Sequence, residues 1–404
     1  MLGRDDRPKT PALAVAPGFG NDHARMKPFA LAAALLLAVS SHAATLVPGE
    51  AATGWILLFD GETTFGWTAP TKAAWRVDAG ALVPPVGSAA GTTSSTTEFA
   101  DFELRLEFKV EGRSDARLAL RTPAGAEPTA ANSTMFNLSR LADAADPLPA
   151  SAGGWHSLEV NYQADRFTAS LDGQLLGEAR EKRSARGSIA LVRPSGDGVI
   201  LVRTIKLRPL GTQSLFNGTD LTGWKVIPEH KSVYSVTPEG WLNVKNGNGD
   251  LQTKRSFGDF ILQLDVISHG DHLNSGVFFR AIPGEFWQGY ESQIRNEWEG
   301  NDRTKPVDFG TGGIYRRQPA RRVVSTDRTW FTKTIVAEGR HLAVWVDGIQ
   351  VSDWTDPRPP HANPREGYRA QPGVISLQGH DPTTNLSFRN LRVAELPPAA
   401  GEAR

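Results

Sequence analysis

The stretch from Gln288 to Tyr315, QGYESQIRNEWEGNDRTKPVDFGTGGIY, gathers side chains that could do chemistry. Read as a strand, Tyr290 to Ile294 alternates. Glu291, Gln293 and Arg295 then share one face, and Tyr290 and Ile294 take the other. An acid, an amide and a guanidinium on one face are costly to bury and unnecessary for packing. Trp287, Tyr290 and Trp298 flank them. Flat rings beside a carboxylate and an amide suit a sugar: the rings cover C–H faces while the polar groups read hydroxyls. The same residues also read as an exposed strand face with a solvated charge cluster.

The elements that must position this stretch are short. No long helical period runs through the chain. Alternating runs recur between Gly, Pro, Asn and Asp clusters, as in Phe102 to Val110, Trp155 to Tyr162, Phe260 to Val266 and Leu342 to Val346. With 40 Gly and 27 Pro to supply turns, this pattern predicts an all-β protein of antiparallel sandwiches.

The chain also repeats itself. Leu58-Phe59-Asp60-Gly61 with Gly66-Trp67 matches Leu215-Phe216-Asn217-Gly218 with Gly223-Trp224. Phe99 to Leu106 matches Phe257 to Leu264, and Trp155 opens a strand as Trp330 does. Leu171-Asp172-Gly173 matches Val346-Asp347-Gly348, each an Asp-Gly hairpin turn. Two copies of one sandwich are expected, over residues 54–209 and 213–397. The joint at Gly211-Thr212 is too short for a flexible tether, so the copies are expected to pack together.

The copies differ where chemistry is concerned. The second contains the Tyr290–Tyr315 stretch, read as an insertion; the first has only an Ala-rich segment from Ala124 to Ala152. The second reads Leu377-Gln378-Gly379-His380 where the first reads Leu191-Val192-Arg193-Pro194. It reads Asn274-Ser275-Gly276 where the first has Asp115-Ala116-Arg117, although Arg121 and Arg280 recur in both. A shared framework is what folding requires; a polar set in one copy alone is what a site would look like.

Composition narrows the classes. Lys plus Arg and Asp plus Glu each number 44 in 404 residues, with no basic stripe, which argues against nucleic-acid binding. There is no cysteine, which excludes disulfides and Cys-ligated metals. Met26-Lys27-Pro28, an apolar run from Phe29 to Val39 and Ser41-His42-Ala43 read as a secretory signal peptide cut after Ala43, with Met26 the natural start; the alternative reading is a short membrane anchor left uncleaved. The apolar run is too short to span a bilayer. A bacterial periplasmic or secreted protein is expected.

The second copy resembles the 3-keto-disaccharide hydrolase family, bacterial domains with a concanavalin-like jelly roll. The resemblance is carried in order by Leu215-Phe216-Asn217-Gly218 with Gly223-Trp224, Asn274-Ser275-Gly276 with Phe279-Arg280, and Tyr290-Glu291 with Gln293-Ile294. Thr311-Gly312-Gly313-Ile314-Tyr315, Trp330, Leu377-Gln378 with His380, and Phe388-Arg389-Asn390-Leu391 complete it. The first copy is similar through its framework only. One position departs: Asn296 stands where the family commonly has Asp.

The resemblance implies cleavage of glycosides already oxidised at carbon 3. The ketone acidifies the carbon 2 hydrogen, a base removes it, the enolate expels the glycosidic oxygen, and water adds to the product. On this implication Glu291 is the base, Arg280, Gln293 and Gln378 are oxygen donors, and His380 is an acid or relay. Asn274, Trp287, Tyr290, Trp298, Tyr315 and Gln378 would bind substrate. A separate sugar 3-dehydrogenase would supply the oxidised oligosaccharide. No cofactor is expected; a divalent cation at the enolate is left open. His269, Asp271 and His272 match no zinc motif and read as a polar loop. Asn246-Gly247-Asn248-Gly249 lacks the context of a dinucleotide loop. The compact Glu-x-Asp-x-x-Glu of retaining glucanases is absent. The rival from another class is a non-catalytic carbohydrate-binding module, which explains the sandwich and aromatics but needs no base.

Overall fold

The computed structural model describes residues 44–68, 75–84, 90–112, 115–145, 154–194 and 198–399. The expected signal peptide, residues 1–43, lies outside them. No helix among the described residues is long and apolar enough to cross a membrane.

Two jelly-roll β-sandwiches follow one another, each an eight-stranded antiparallel sheet facing a five-stranded one. Alternation in sequence becomes alternation in burial. In Phe102–Glu111, Phe102, Leu104, Leu106 and Phe108 are fully buried, while Glu103 and Glu107 reach outward to Arg208 and Arg203. Burying each such side chain stabilises the sandwich by about 1.5–3 kcal/mol.

The matching strand of the second sandwich, Phe260–Ser268, is buried almost throughout. Of its outward residues, Ile261 and Gln263 face the first sandwich. Ile261, with Val336, Ala343 and Trp345 of the neighbouring strands, joins the first sandwich's apolar core. Trp345 Nε1 donates to Leu57 O at 2.9 Å, and Leu57 N donates to Gly348 O at 2.8 Å. Arg321 pairs with Asp60 at 2.7 Å, and Arg186 with Asp259 at 2.7 Å. The strand face that is polar at Glu103 in the first copy is apolar at Ile261 in the second, and that second-copy face docks against the segment leading into and through Ile56–Phe59.

The five-stranded sheet of the second sandwich runs Trp224–Val226, Gly249–Phe257, Gly373–Gly379, Ser275–Ala281, Tyr290–Ile294. Its counterpart runs Trp67–Thr68, Gly91–Ser95, Ser188–Arg193, Arg117–Thr122, Thr134–Asn137. The expected insertion is thus smaller than the sequence suggests. Tyr290–Ile294 has a counterpart in Thr134–Asn137, inside the Ala-rich segment, where it leads into the helix Leu138–Ala144. What the second copy adds is the excursion between residues 295 and 330, and a longer link from 356 to 372 before Gly373.

Candidate active site

Register decides which side chains leave the second five-stranded sheet on its outer face. Directly opposed residues of antiparallel strands point the same way. Glu291 lies opposite Phe278, Phe278 opposite Ser376, and Ser376 opposite Gln252. Gln293 lies opposite Gly276, and Gln378 opposite Asp250. Two rows, polar except for Phe278 and Gly276, thus cross the sheet outside, while Tyr290, Ile294, Ile375 and Leu377 fill the core behind.

Over these rows lies a cavity of about 370 Å³. Its floor is Glu291, Gln293 and Gln378. Asn274, Trp287 and His380 form one side; Tyr315 and Arg316 from the 295–330 excursion, and Asn363 and Arg365 from the 356–372 link, form the other.

Glu291 is 4% exposed, and Arg365 Nη2 donates to its Oε2 at 3.0 Å. Burial pushes its carboxyl up to about 7, against the opposing charges of Arg365, His380 and Lys333. Gly276 makes room for it: a Cβ there would stand 2.5 Å from Glu291 Oε1. Arg365 is itself held, donating from Nε to Trp287 O at 3.0 Å and lying 5.0 Å from the Phe278 ring centroid. A second carboxyl, Asp250, is pushed up to about 6 by burial, although its Oδ2 accepts from Trp287 N at 2.8 Å.

His380 Nδ1 is bonded to Asp381 Oδ2 at 2.9 Å, which leaves Nε2 for the cavity. Its ring lies parallel to Trp287, 5.5 Å away with 8° between planes. Trp287 also stacks on Phe286 at 4.4 Å. With two protein rings already stacked on it, Trp287 offers chiefly its Nε1–H, which is buried without a protein partner.

Asp308 sets the polarity of the floor. Gln293 Nε2 donates to Asp308 O and Oδ2, at 3.1 and 2.9 Å, and Asn274 Nδ2 donates to Asp308 Oδ2 at 2.9 Å. An ionised carboxylate only accepts, so both amides turn their NH2 groups toward it. The oxygens of Asn274, Gln293 and Gln378 are buried without a protein partner. Such groups cost about 1–3 kcal/mol each when left unpaired, so the cavity suits a ligand rich in hydroxyl donors. The expectation that Gln293 donates to a developing oxyanion is corrected: its N–H groups are engaged, and it presents an acceptor.

Three expected site residues lie elsewhere. Arg280 is 1% exposed and donates to Gly258 O, Gly339 O and Arg369 O, with Asp259 Oδ1 at 2.6 Å. Its donors are consumed by the framework, as Arg121's are by Ala100 O, Ala164 O and Asp101. Tyr290 is in the core, its hydroxyl bonded to Asp356 at 2.7 Å. Trp298 packs under Arg303, 4.1 Å from its ring, away from the cavity. Asn296 is also remote, joining Thr311, Ser325 and Asp327, so the departure there removes no acid from the cavity. Arg295 turns to Glu297.

Sequence reading missed Arg365, Asn363 and Arg316, which sit in irregular links with no periodic signal, and the roles of Asp250, Asp308 and Asp381. Among the described residues, no three His, Asp or Glu side chains are grouped to hold a metal. His269 bonds Ser387, Asp271 pairs with Arg328, and His272 bonds Asn296 O.

Residues 54–208 and 211–394 each match the 3-keto-alpha-glucoside-1,2-lyase-like domain. None of the curated proteins matches the chain. Two solved structures of proposed glycosyl hydrolases from Parabacteroides distasonis ATCC 8503 are similar at 20% and 24% identity, with TM-scores of 0.38 and 0.36. Each covers 46% of this chain, and 94% and 100% of its own length are covered. A carbohydrate-binding module from Bacillus subtilis is similar at 15% identity and a TM-score of 0.31, over 44% of this chain and 96% of its own.

Proposed function

The chain belongs to the 3-keto-alpha-glucoside-1,2-lyase-like family, and on that premise we propose that its second sandwich cleaves 3-keto-glycosides by elimination and hydration. The observation that carries the reading is Glu291: a desolvated carboxyl, pushed up to about 7, on the floor of a cavity whose free groups suit a polyol.

Glu291 takes the carbon 2 proton. Its raised proton affinity makes it a stronger base than a solvated carboxylate, yet half of it is ionised near neutrality. Arg365 orients it and, with the Trp287 Nε1–H, donates to the enolate oxygen that forms at carbon 3. As the carbon 1–oxygen bond breaks, protonated His380 gives its Nε2 proton to the departing oxygen. Asp381, accepting from the Nδ1–H, holds the ring with Nε2 toward the cavity. Water then adds across the carbon 1–carbon 2 double bond, returning a proton to carbon 2 and leaving a 3-keto sugar. Asn274, Gln293 and Gln378 accept from sugar hydroxyls. The first sandwich is inert in this reading and serves as a scaffold or a secondary sugar surface. An upstream dehydrogenase supplies the ketone, and the protein works in the bacterial periplasm or outside the cell.

The test offers 3-keto and unoxidised disaccharides side by side and follows free sugar. Release from the keto substrate alone, slowed by deuterium at carbon 2, supports the reading. Equal cleavage of both sinks the elimination; binding without cleavage favours a carbohydrate-binding module.

A further inference from the structure

The interior of the second sandwich holds an amine that the proposed reaction does not touch. Lys333 lies in the strand Phe331–Glu338, on the row with Phe331, Ile335 and Ala337 that faces the core. Its exposure is 0%. Nζ crosses the core and donates to Ser292 O and Gln293 O, both at 2.8 Å. Those carbonyls belong to the facing strand that carries Glu291 and Gln293 into the cavity. Burying an amine in an apolar core is costly, and burial holds Lys333 well below the usual lysine range, with the Glu291 charge pulling the other way.

The first sandwich shows that the fold does not need this amine. Asp172 accepts from Ser157 N as Asp347 accepts from Thr332 N, which fixes the alignment of these strands. One residue further on, Lys333 is matched by Leu158, which is fully buried in its own core. The position of Glu291 is matched by Met135: Met135 lies opposite Ala119, Glu291 opposite Phe278, two residues before Arg121 and Arg280 respectively. Leucine and methionine stand together in one copy, lysine and glutamate in the other.

From this juxtaposition we infer that Lys333 is a positioning residue, tying the Glu291–Gln293 strand from the core side. Its charge is also among those that work against the burial raising Glu291. The inference rests on Glu291 being the base. The tie has work to do because Tyr290–Ile294 ends its sheet and is backed beyond only by residues 312–315. The other charged groups around Glu291 come from the cavity side. They are Arg365 and Glu366 of the 356–372 link, Arg316 and, bonded to Gln293, Asp308 of the 295–330 excursion, His380 after Gly373–Gly379, and Asp250 of Gly249–Phe257. Among these described residues, Lys333 is the one that acts from behind.

The experiment compares the full chain with Lys333→Leu, which copies the first sandwich, and Lys333→Met, which keeps an unbranched side chain. The expected result is an unchanged or higher melting temperature and a kcat lower by ~10-fold or more, since small misplacements of a reacting group are costly. KM should change little. The acid limb of kcat/KM should move to higher pH, and the infrared titration of the Glu291 carboxyl, assigned by its loss in Glu291→Gln, should move with it without substrate. Variants whose kcat and carboxyl titration match the parent overturn the inference. So does a loss of activity that merely follows a loss of folded protein, with the acid limb unmoved. Full activity in Glu291→Gln instead removes the assigned base, an outcome separable from either.

Discussion

The two sandwiches share a frame and differ in what the frame carries. Trp67 and Trp224 donate to Leu58 O and Leu215 O, and Arg121 and Arg280 pair with Asp101 and Asp259. Both arginines sit at positive φ, 55° and 45°, and a Cβ at Gly187 or Gly373 would strike their backbone carbons at 2.4 Å. On the outer sheet face the copies part. By register, Met135 stands for Glu291, Asn137 for Gln293, Val192 for Gln378 and Thr92 for Asp250. Asn137 caps the helix Leu138–Ala144 instead of lining a cavity. The link 181–187 is too short to deliver a counterpart of Arg365. The lesson is that repetition marks what folding needs, and departure from repetition marks what the site needs.

The sharpest way to break this comparison is to make the second copy like the first at one residue. Glu291→Gln removes the base and keeps the shape, so turnover of a 3-keto-disaccharide should fall by about 10²–10⁴-fold. The parent's acid limb should lie near pH 7, where the Glu291 carboxyl ionises. Stability should move oppositely. The folded carboxyl keeps its proton to about 7 and the unfolded one to about 4.5, so the parent loses stability as pH rises from 4.5 through 7. Melts of Glu291→Gln over that range should lack the loss.

Arg280→Met and Arg121→Met test the shared frame. Each should cost about 3 kcal/mol of stability by leaving a carboxylate and several carbonyls without their donor. Neither should change kcat of the remaining folded protein. A selective collapse of kcat in Arg280→Met would return that residue to the site.

Gly276→Ala is a smaller perturbation. A methyl 2.5 Å from Glu291 Oε1 must displace the carboxyl, and a loss of about 10-fold in kcat with a modest change in melting temperature is expected. Parent-like kinetics would mean that Glu291 has freedom to move.

The smallest effect concerns how the copies hold together. At their junction, burial pulls His341 down, but its hydrogen bonds to Asp353 and Glu338 overcome this and raise it to about 9. Glu338 also accepts from Glu98 N, Thr96 donates to Asp353, and Arg186 stands beside Glu98. A raised His stabilises fully below its unfolded value of 6.5 and loses that contribution as pH rises through 9. Melting temperatures between pH 6 and 10 should fall across this window in the parent and stay flatter in His341→Asn.

Much of this was legible in the sequence because it is local. Alternation marked the strands, Asp-Gly the hairpin turns, and the repeat the two sandwiches. The same alternation set Glu291 and Gln293 against Tyr290 and Ile294, since a strand's period of 2 needs no tertiary information. It also over-reached: the rings of Tyr290 and Trp298 near the acid in sequence suggested a sugar platform, but proximity along the chain does not say which face a ring takes.

What the tertiary structure alone decided concerns contacts between distant segments. Arg365 meets Glu291 across 74 positions of sequence, and Lys333 reaches Ser292 O across 41. Asp308 fixes which end of Gln293 faces the cavity, which no property of Gln293 itself predicts. Lys333 did carry a trace in sequence, a lysine on a core-facing row where the other copy has Leu158, yet its meaning needed the facing strand. Periodicity reports the geometry of one strand. The proton affinity of Glu291 depends on what the other strands and links bring around it: water excluded on one side, an arginine on another, an amine behind. The sequence determined that Glu291 would leave the sheet on its outer face; the packing of the 295–330 excursion and the 356–372 link above it decided that this face would be a cavity, because desolvation and opposing charge are properties of the assembled surroundings.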